Sequence, residues 1–252
     1  MEEIKNIYED DDILVCHKRA GLATEGAAAG RMDLISAART YLKRKNRNNP
    51  QKQSYVATVH RLDQPVEGVV VLAKSKQAAS NIARQIKEHR TDKYYYALCY
   101  GKPDQARAHL VNYLVKKEDS LAAVVTEKEK ESLSNNTITM ENGEKIRIAD
   151  QEVKRAELEY EVIAGDEKVS LLRIKLLTGR YHQIRVQLSY LGHPIMGEKK
   201  YGSKESVKLS EELGINRMCL ASYKFALDHP KNGKRMEFEI VPYNTFIKKW
   251  LE

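Results

Sequence analysis

The chain has 252 residues, 42% hydrophobic and 31% charged, with a formal charge of +8. The apolar fraction supplies a packed core and excludes a wholly disordered chain, while the positive excess fits a polyanionic partner, nucleic acid ahead of membrane. Cys16, Cys99 and Cys219 make neither a disulfide framework nor a zinc motif, the start Met1-Glu2-Glu3-Ile4 lacks the basic and apolar regions of a leader, and no apolar run approaches the roughly 20 residues of a membrane span; a protein of a reducing cytoplasm is expected.

An acidic turn, Glu9-Asp10-Asp11-Asp12, precedes a short strand over 13–17. Residues 21–30 form a loop centred on Gly26-Ala27-Ala28-Ala29-Gly30, and no Gly-Lys-Ser/Thr follows to make it a phosphate-binding loop. Leu34, Ile35, Ala38, Tyr41 and Leu42 share one face of a helix predicted over 34–45. Arg39, Lys43, Arg44, Lys45, Arg47 and Lys52 occur with no acid before Asp63, which fits either a solvated helix end or a nucleic-acid contact. Residues 68–73 are an apolar, β-branched run and read as a buried strand. Ser75 is placed to cap a helix over 76–89, with Ala79, Ile82, Ala83 and Ile86 facing inward. A strand over 93–100 ends at Gly101-Lys102-Pro103.

From 116 to 154 the pattern is irregular. The run Glu127-Lys128-Glu129-Lys130-Glu131 reads as a solvated face, and Asn142-Gly143 turns a hairpin between 137–140 and 145–148. Alternating strands over 156–163 and 169–177 pair across Gly165-Asp166. A helix over 183–191 stops at Gly192. Strands over 218–225 and 235–241 and a tail helix over 246–251 complete the chain. Strands outnumber helices and often follow each other directly, which predicts an α+β class built on a mixed, mostly antiparallel sheet flanked by helices. No stretch reads as a linker, so residues 1–252 are expected to form a single domain.

Three clusters join charged or aromatic groups to the ends of these elements, where rigid scaffolds present functional groups. The first is His60-Arg61-Leu62-Asp63, followed by Gln64-Pro65, whose proline drives the preceding residue towards an extended conformation. A guanidinium beside Asp63 would favour its ionised form. Taken alone, Arg-Leu-Asp fits a structural salt bridge better than a catalytic site. Glu67, four residues on, gives only weak grounds for a glycosidase pair, because two-carboxylate hydrolysis needs a defined separation across a sugar that sequence spacing cannot show. His60, His182 and His193 match no metal-ligand spacing. The second cluster is Tyr94-Tyr95-Tyr96, in which Tyr95 must face opposite to its neighbours on a strand. Aromatic rings beside basic residues pack sheets and also stack unpaired bases. The third, Gly179-Arg180-Tyr181-His182-Gln183-Ile184-Arg185, sits at a turn-to-helix junction where backbone N–H groups and two guanidiniums could hold phosphate.

In this order and spacing the clusters closely resemble the large-ribosomal-subunit type of pseudouridine synthases, the RluA-like family. His60-Arg61-Leu62-Asp63 through Gly68 to Ala73-Lys74 is similar to the family's first signature. Lys93, Tyr95, Ala97 and Gly101 match its next element. Gly179 to Arg185, Gly192-His193-Pro194-Ile195 and Tyr201-Gly202 match its third. The resemblance covers nearly the whole chain. Three positions depart from the family pattern. Val66-Glu67 stands where threonine and a small hydroxyl residue are usual, Lys18-Arg19-Ala20-Gly21 where Lys-Pro-x-Gly is usual, and Gly197-Glu198 where Gly-Asp is usual. None is expected to touch the residues that do chemistry, so they bear on substrate choice. The matching region begins near the first residue, so no S4-like RNA-binding domain of the kind some relatives carry is expected ahead of it.

The resemblance implies a pseudouridine synthase fold and an isomerisation in which the N1–C1′ bond of uridine breaks, the base rotates and C5 bonds to C1′. It implies that Asp63 is the nucleophile or base, that Arg185 is its partner, and that Tyr95 stacks on a flipped-out base and assists proton removal. Arg61, Arg180, His182 and Gln183 are implied as RNA- or substrate-binding residues. The expected partner is ribosomal or transfer RNA, with no metal, no organic cofactor, no membrane and no obligate protein partner, the chain acting as a monomer. The alternatives are a catalytically silent RNA-binding or ribosome-assembly factor with the same fold, and a nucleoside or glycoside hydrolase.

Overall fold

The computed structural model describes residues 4–28, 30–48, 55–149 and 152–252; Met1-Glu2-Glu3, Ala29 and Lys52 lie outside them. In chain order its elements are β1 (Lys5–Glu9), β2 (Ile13–Lys18), α1 (Leu34–Lys45), β3 (Ala57–Thr58), β4 (Glu67–Ala73), α2 (Lys76–Lys87), β5 (Asp92–Tyr100), β6 (Arg107–Lys116) and β7 (Ala122–Val125). There follow α3 (Glu127–Glu131), β8 (Thr137–Thr139), β9 (Lys145–Arg147), β10 (Lys154–Gly165), β11 (Val169–Leu176), α4 (Gln183–Tyr190), α5 (Lys204–Glu212), β12 (Leu220–Asp228), β13 (Arg235–Glu239) and α6 (Thr245–Lys248). The class is α+β.

The residues gather into two compact units, Met1–Tyr95 with Leu220–Lys248, and Tyr96–Cys219 with Lys249–Glu252. No linker is visible in the sequence because the chain passes from one unit to the other inside β5 and again just before β12, within strand-forming stretches that carry no glycine, proline or serine run.

In the first unit β4 pairs antiparallel with β2 and β3 and parallel with β12, β1 lies antiparallel on β2, and β13 lies antiparallel on β12. The sheet is therefore mixed and mostly antiparallel. Every residue of β4 is buried, as its unbroken apolar run predicts. Val69 and Val71 pack with Ile13, Val15, Phe225, Leu227 and Phe238 against Ala78 and Ile82 of α2. The Ser75 hydroxyl caps that helix by accepting from the Ala78 N–H at 3.1 Å. Its inward face is turned from the expected one: Ala78, Ile82 and Gln85 are buried while Ala83 is exposed. Gln85 is tolerated there because its amide exchanges bonds with the Asp228 backbone at 2.7 and 2.9 Å, which satisfies a buried polar group. Helix α1 has the predicted limits, with Leu34, Ile35, Ala38 and Leu42 buried. Tyr41 stands at the edge of that face and its hydroxyl donates to Glu9 at 2.8 Å.

In the second unit β10 pairs antiparallel with β11 on one side and β6 on the other, and β7 adds to β6. The hairpin β8–β9 turns at Gly143, whose φ of +84° suits glycine. The charge run at 127–131 is not a plain solvated face. It forms a capped turn of helix in which the buried Glu129 carboxylate accepts from the backbone N–H groups of Thr126 and Glu141, each at 2.8 Å. Helix α4 ends as predicted: the Gly192 N–H donates to Ser189 and the His193 N–H to Leu188, with Gly192 left-handed at φ +90°. Among the described residues no helix is long and apolar enough to cross a membrane.

Candidate active site

Asp63 sits in a turn closed by the Val66 N–H donating to the Asp63 carbonyl at 3.0 Å. The residues on either side of it are fixed by a segment some forty positions earlier. The Thr24 hydroxyl donates to the Leu62 carbonyl at 2.8 Å and accepts from the Leu62 N–H at 3.1 Å. The Gln64 carbonyl accepts from the Gly21 N–H at 2.8 Å and from Lys18 Nζ at 3.3 Å, and the Gln64 amide returns a bond to the Gly21 carbonyl at 3.0 Å. Thr24 is itself held by α1, since the Ile35 N–H donates to its carbonyl at 3.1 Å. The backbone around Asp63 is thus bonded on both sides to a second segment of the same unit, which is the kind of support a precisely placed group requires.

Lys18 is fully buried and also donates to the Leu22 carbonyl at 2.7 Å. Burial pulls its ammonium down to about 8, opposed by the negative charges of Asp63 and Glu67. Tyr95 is buried on β5 between the more exposed Tyr94 and Tyr96, as the alternation predicts. Burial drives its phenol up to about 12, the Ser222 hydroxyl acting in the opposite direction and Asp63 adding to the rise. Asp63, Lys18, Tyr95 and Ser222 therefore share one neighbourhood within the first unit. A Cβ at Gly68 would run into the Ser222 carbonyl, and φ there is +145°, so the start of β4 requires glycine to lie this close to β12.

His60 is a framework group. Its Nε2 accepts from the Val71 N–H at 3.0 Å, its ring stacks on Phe225 at 4.5 Å, and burial lowers its pKa to about 3. Arg61 is exposed and its guanidinium lies 3.3 Å from Glu25. Glu67, one of the departures from the family pattern, turns into the protein. Its two oxygens accept from the backbone N–H groups of Tyr243 and Asn244, each at 2.9 Å, and it stands 3.4 Å from His17 Nε2.

The third motif lies in the second unit. The Gln183 side-chain Oε1 accepts from the Thr178 hydroxyl at 2.8 Å and the Arg180 N–H at 2.9 Å, and its Nε2 donates to the Glu157 carbonyl at 3.0 Å. Its amide thus shapes the turn. Arg180 is exposed, with Nε donating to the Arg155 carbonyl at 3.0 Å. His182 is left-handed at φ +52°, a conformation uncommon outside glycine. Its Nδ1 lies 2.6 Å from the Tyr201 hydroxyl, and Tyr181 stacks on its ring. Arg185 is buried and holds Glu198 with two bonds, Nε to Oε2 at 2.6 Å and NH2 to Oε1 at 3.0 Å. The departure at 198 therefore does touch a residue of the expected chemistry. Motif positions are not independent of one another here, because the turn at 197–202 brings residue 198 back onto α4.

Among the described residues, Asp10, Asp12 and His229 have potential ligand atoms within 4.8 Å of one another. His229 Nε2 faces Asp10 at 2.9 Å, and its Nδ1 accepts from the N–H groups of Lys231 and Asn232 at 3.3 Å. With both ring nitrogens engaged, the group fastens a turn. Thr24, Ser222 and Thr178 belong to these neighbourhoods without any signal in the sequence that would single them out.

Residues 12–190 match the family model described as RNA pseudouridylate synthase. An RNA pseudouridine synthase of Aquifex aeolicus is 33% identical over 99% of this chain and 73% of its own length. The ribosomal large subunit pseudouridine synthase C of Haemophilus influenzae is 30% identical over 92% of this chain, which spans 63% of that relative's length; the Escherichia coli protein of that description is 31% identical over 98% of this chain and 68% of its own. The solved structure of human RNA pseudouridylate synthase domain containing 4 shares the fold, with a TM-score of 0.74 at 20% identity over 96% of this chain and 90% of that one. The chain belongs to the RNA pseudouridylate synthase family, whose reaction is an isomerisation of uridine in RNA.

Proposed function

We propose that this chain converts specific uridines of ribosomal or transfer RNA to pseudouridine, with Asp63 as the nucleophile acting on a flipped-out nucleotide. The observation that carries this reading is the double fastening of Leu62 and Gln64, which fixes the backbone on both sides of Asp63. A stacked uridine is out of reach of any side chain, so extrusion of the nucleotide precedes chemistry. Tyr95, with a pKa near 12, is a neutral phenol at pH 7. That favours a role as a stacking surface and hydrogen-bond donor and puts phenolate chemistry at a disadvantage. Arg185, oriented by Glu198, supplies the guanidinium that the family resemblance assigns to the reaction. Arg61 and Arg180, both exposed, meet RNA phosphates, and His182 and Gln183 act by shaping the loop that presents Arg180. Residues 1–252 work as one catalytic domain, as a monomer in the cytoplasm, without an obligate protein partner.

The test is Asp63→Asn. Turnover on RNA from cells lacking the gene is expected to disappear, while affinity for that RNA stays within a few-fold of the parent. Pseudouridine formation by the purified, folded variant would overturn the assignment. Retained RNA binding in a wild-type protein that modifies no uridine would instead favour the silent RNA-binding factor, and release of free uracil would favour a hydrolase.

A further inference from the structure

Two of the three departures from the family pattern meet at one side chain. Arg19 stands where proline is usual and Glu67 where a small hydroxyl residue is usual, and both reach Tyr243. The Glu67 carboxylate accepts the N–H groups of Tyr243 and Asn244, fixing the backbone there. The Arg19 guanidinium carbon lies 5.7 Å from the centre of the Tyr243 ring, and Lys5 Nζ lies 5.0 Å from it. His17 stacks on the same ring at 4.2 Å and 5°. Glu67 and His17 are buried, whereas Tyr243, Arg19 and Lys5 are exposed. A buried base thus holds an aromatic post that gathers two cations at the surface.

The cluster adjoins the loop of Asp63. Arg19 lies in the turn whose ends grip Gln64, with Lys18 and Gly21 donating to the Gln64 carbonyl and the Leu22 N–H donating to the Arg19 carbonyl at 3.3 Å. A cation resting on an aromatic face keeps its charge. Two cations beside one exposed ring make the local surface positive, which attracts a phosphate. Arginine offers a planar fork that matches two phosphate oxygens, while lysine offers a point charge.

We propose that Lys5, Arg19 and Tyr243 anchor a phosphodiester of the substrate RNA beside the target uridine, an anchor built where Arg19 and Glu67 depart from the family pattern. The inference rests on the pseudouridylation reading above. The anchored phosphate contributes to affinity and register, and takes no part in bond breaking.

The experiment uses the full chain and ribosomal and transfer RNA purified from cells lacking the gene. In the Lys5→Ala/Arg19→Ala double variant the plot of log affinity against log salt should become shallower by about 0.7, the share of the one single-strand phosphate that the pair no longer neutralises. KM should rise on the order of tenfold with kcat within about twofold, and Arg19→Lys should restore the salt slope while recovering only part of the affinity. The melting temperature should not move, because both side chains are exposed. An unchanged slope and KM in the double variant would overturn the anchor, as would a fall in kcat alone. Those outcomes are read against the wild type: if the wild type forms pseudouridine and the double variant matches it, the anchor alone falls. If the wild type forms none, the functional reading falls first.

Discussion

The two motif loops are held by different means. Around Asp63 the fastening is to the backbone: Thr24, Gly21 and Lys18 bond the peptide groups of Leu62 and Gln64. Around Arg185 the fastening is to side chains: Gln183, His182 and Arg185 are each bonded through their own polar atoms to Thr178, Tyr201 and Glu198. A backbone fastening sets where a short side chain such as aspartate begins. A long side chain such as arginine has too many rotamers for that to suffice, so its far end must be gripped, and a bidentate carboxylate does so with defined geometry.

This contrast is sharpest at Glu198, and the largest effect is expected there. Removing one partner of a buried ion pair leaves a charge in a medium that solvates it poorly, which costs about 3–5 kcal/mol. Glu198→Ala should therefore lower the unfolding free energy by about 3 kcal/mol or more and reduce turnover together with it. Glu198→Asp, the residue usual in the family, should keep most of both, with a small loss from the shorter reach. Equal stability of wild type and Glu198→Ala in urea denaturation would show that the second loop does not depend on its ion pair.

The corresponding change in the first loop is Thr24→Val, which keeps the shape and removes the hydroxyl. It leaves the N–H and C=O of Leu62 without that partner, at about 1–3 kcal/mol for a buried polar group. Because the loss falls on the backbone next to Asp63, kcat should drop by about tenfold while KM changes little, since a misplacement near 1 Å costs up to about a hundredfold. Thr24→Ser should restore both. A Thr24→Val protein with wild-type kcat would break the comparison, leaving the turn at 63–66 to fix Asp63 unaided.

The same contrast decides what can be read from the sequence. Only part of the second loop's fastening is local: the Gln183 side chain accepts from the Arg180 N–H and from Thr178 just ahead of the motif, while Tyr201 and Glu198 come from 19 and 13 residues further on. The backbone fastening of Leu62 comes from Thr24, 38 residues away, and nothing in a lone threonine announces it. Helix α1 and the hairpin pair β10–β11 are legible because one face of each is apolar at the period of its own backbone, and strand β4 because its apolar run is unbroken. Strands β6 and β7 are not, since β6 alternates exposed and half-buried positions with charges among them. The inner face of α2 is hidden because a buried glutamine, satisfied by a strand 143 residues on, looks polar in sequence. Glu129 looks like a solvated charge for the same reason, although backbone N–H groups satisfy it in the interior.

A further effect separates the loops by pH. His60 lies in the first motif, half-buried and neutral with a pKa near 3 against an ordinary 6.5. Between those values the unfolded chain takes a proton that the folded chain refuses. The stability tied to this residue is thus fully present above pH 6.5 and is lost as the pH falls towards 3. By pH 5 the loss amounts to about 2 kcal/mol. His60→Gln can still accept from the Val71 N–H through its carbonyl oxygen but cannot ionise. Its unfolding free energy should fall by about 2 kcal/mol less than that of the wild type between pH 7 and pH 5, measured by urea denaturation at each pH. Parallel losses in the two proteins would place the acid sensitivity elsewhere, and the first loop would then owe nothing to a neutral imidazole behind it.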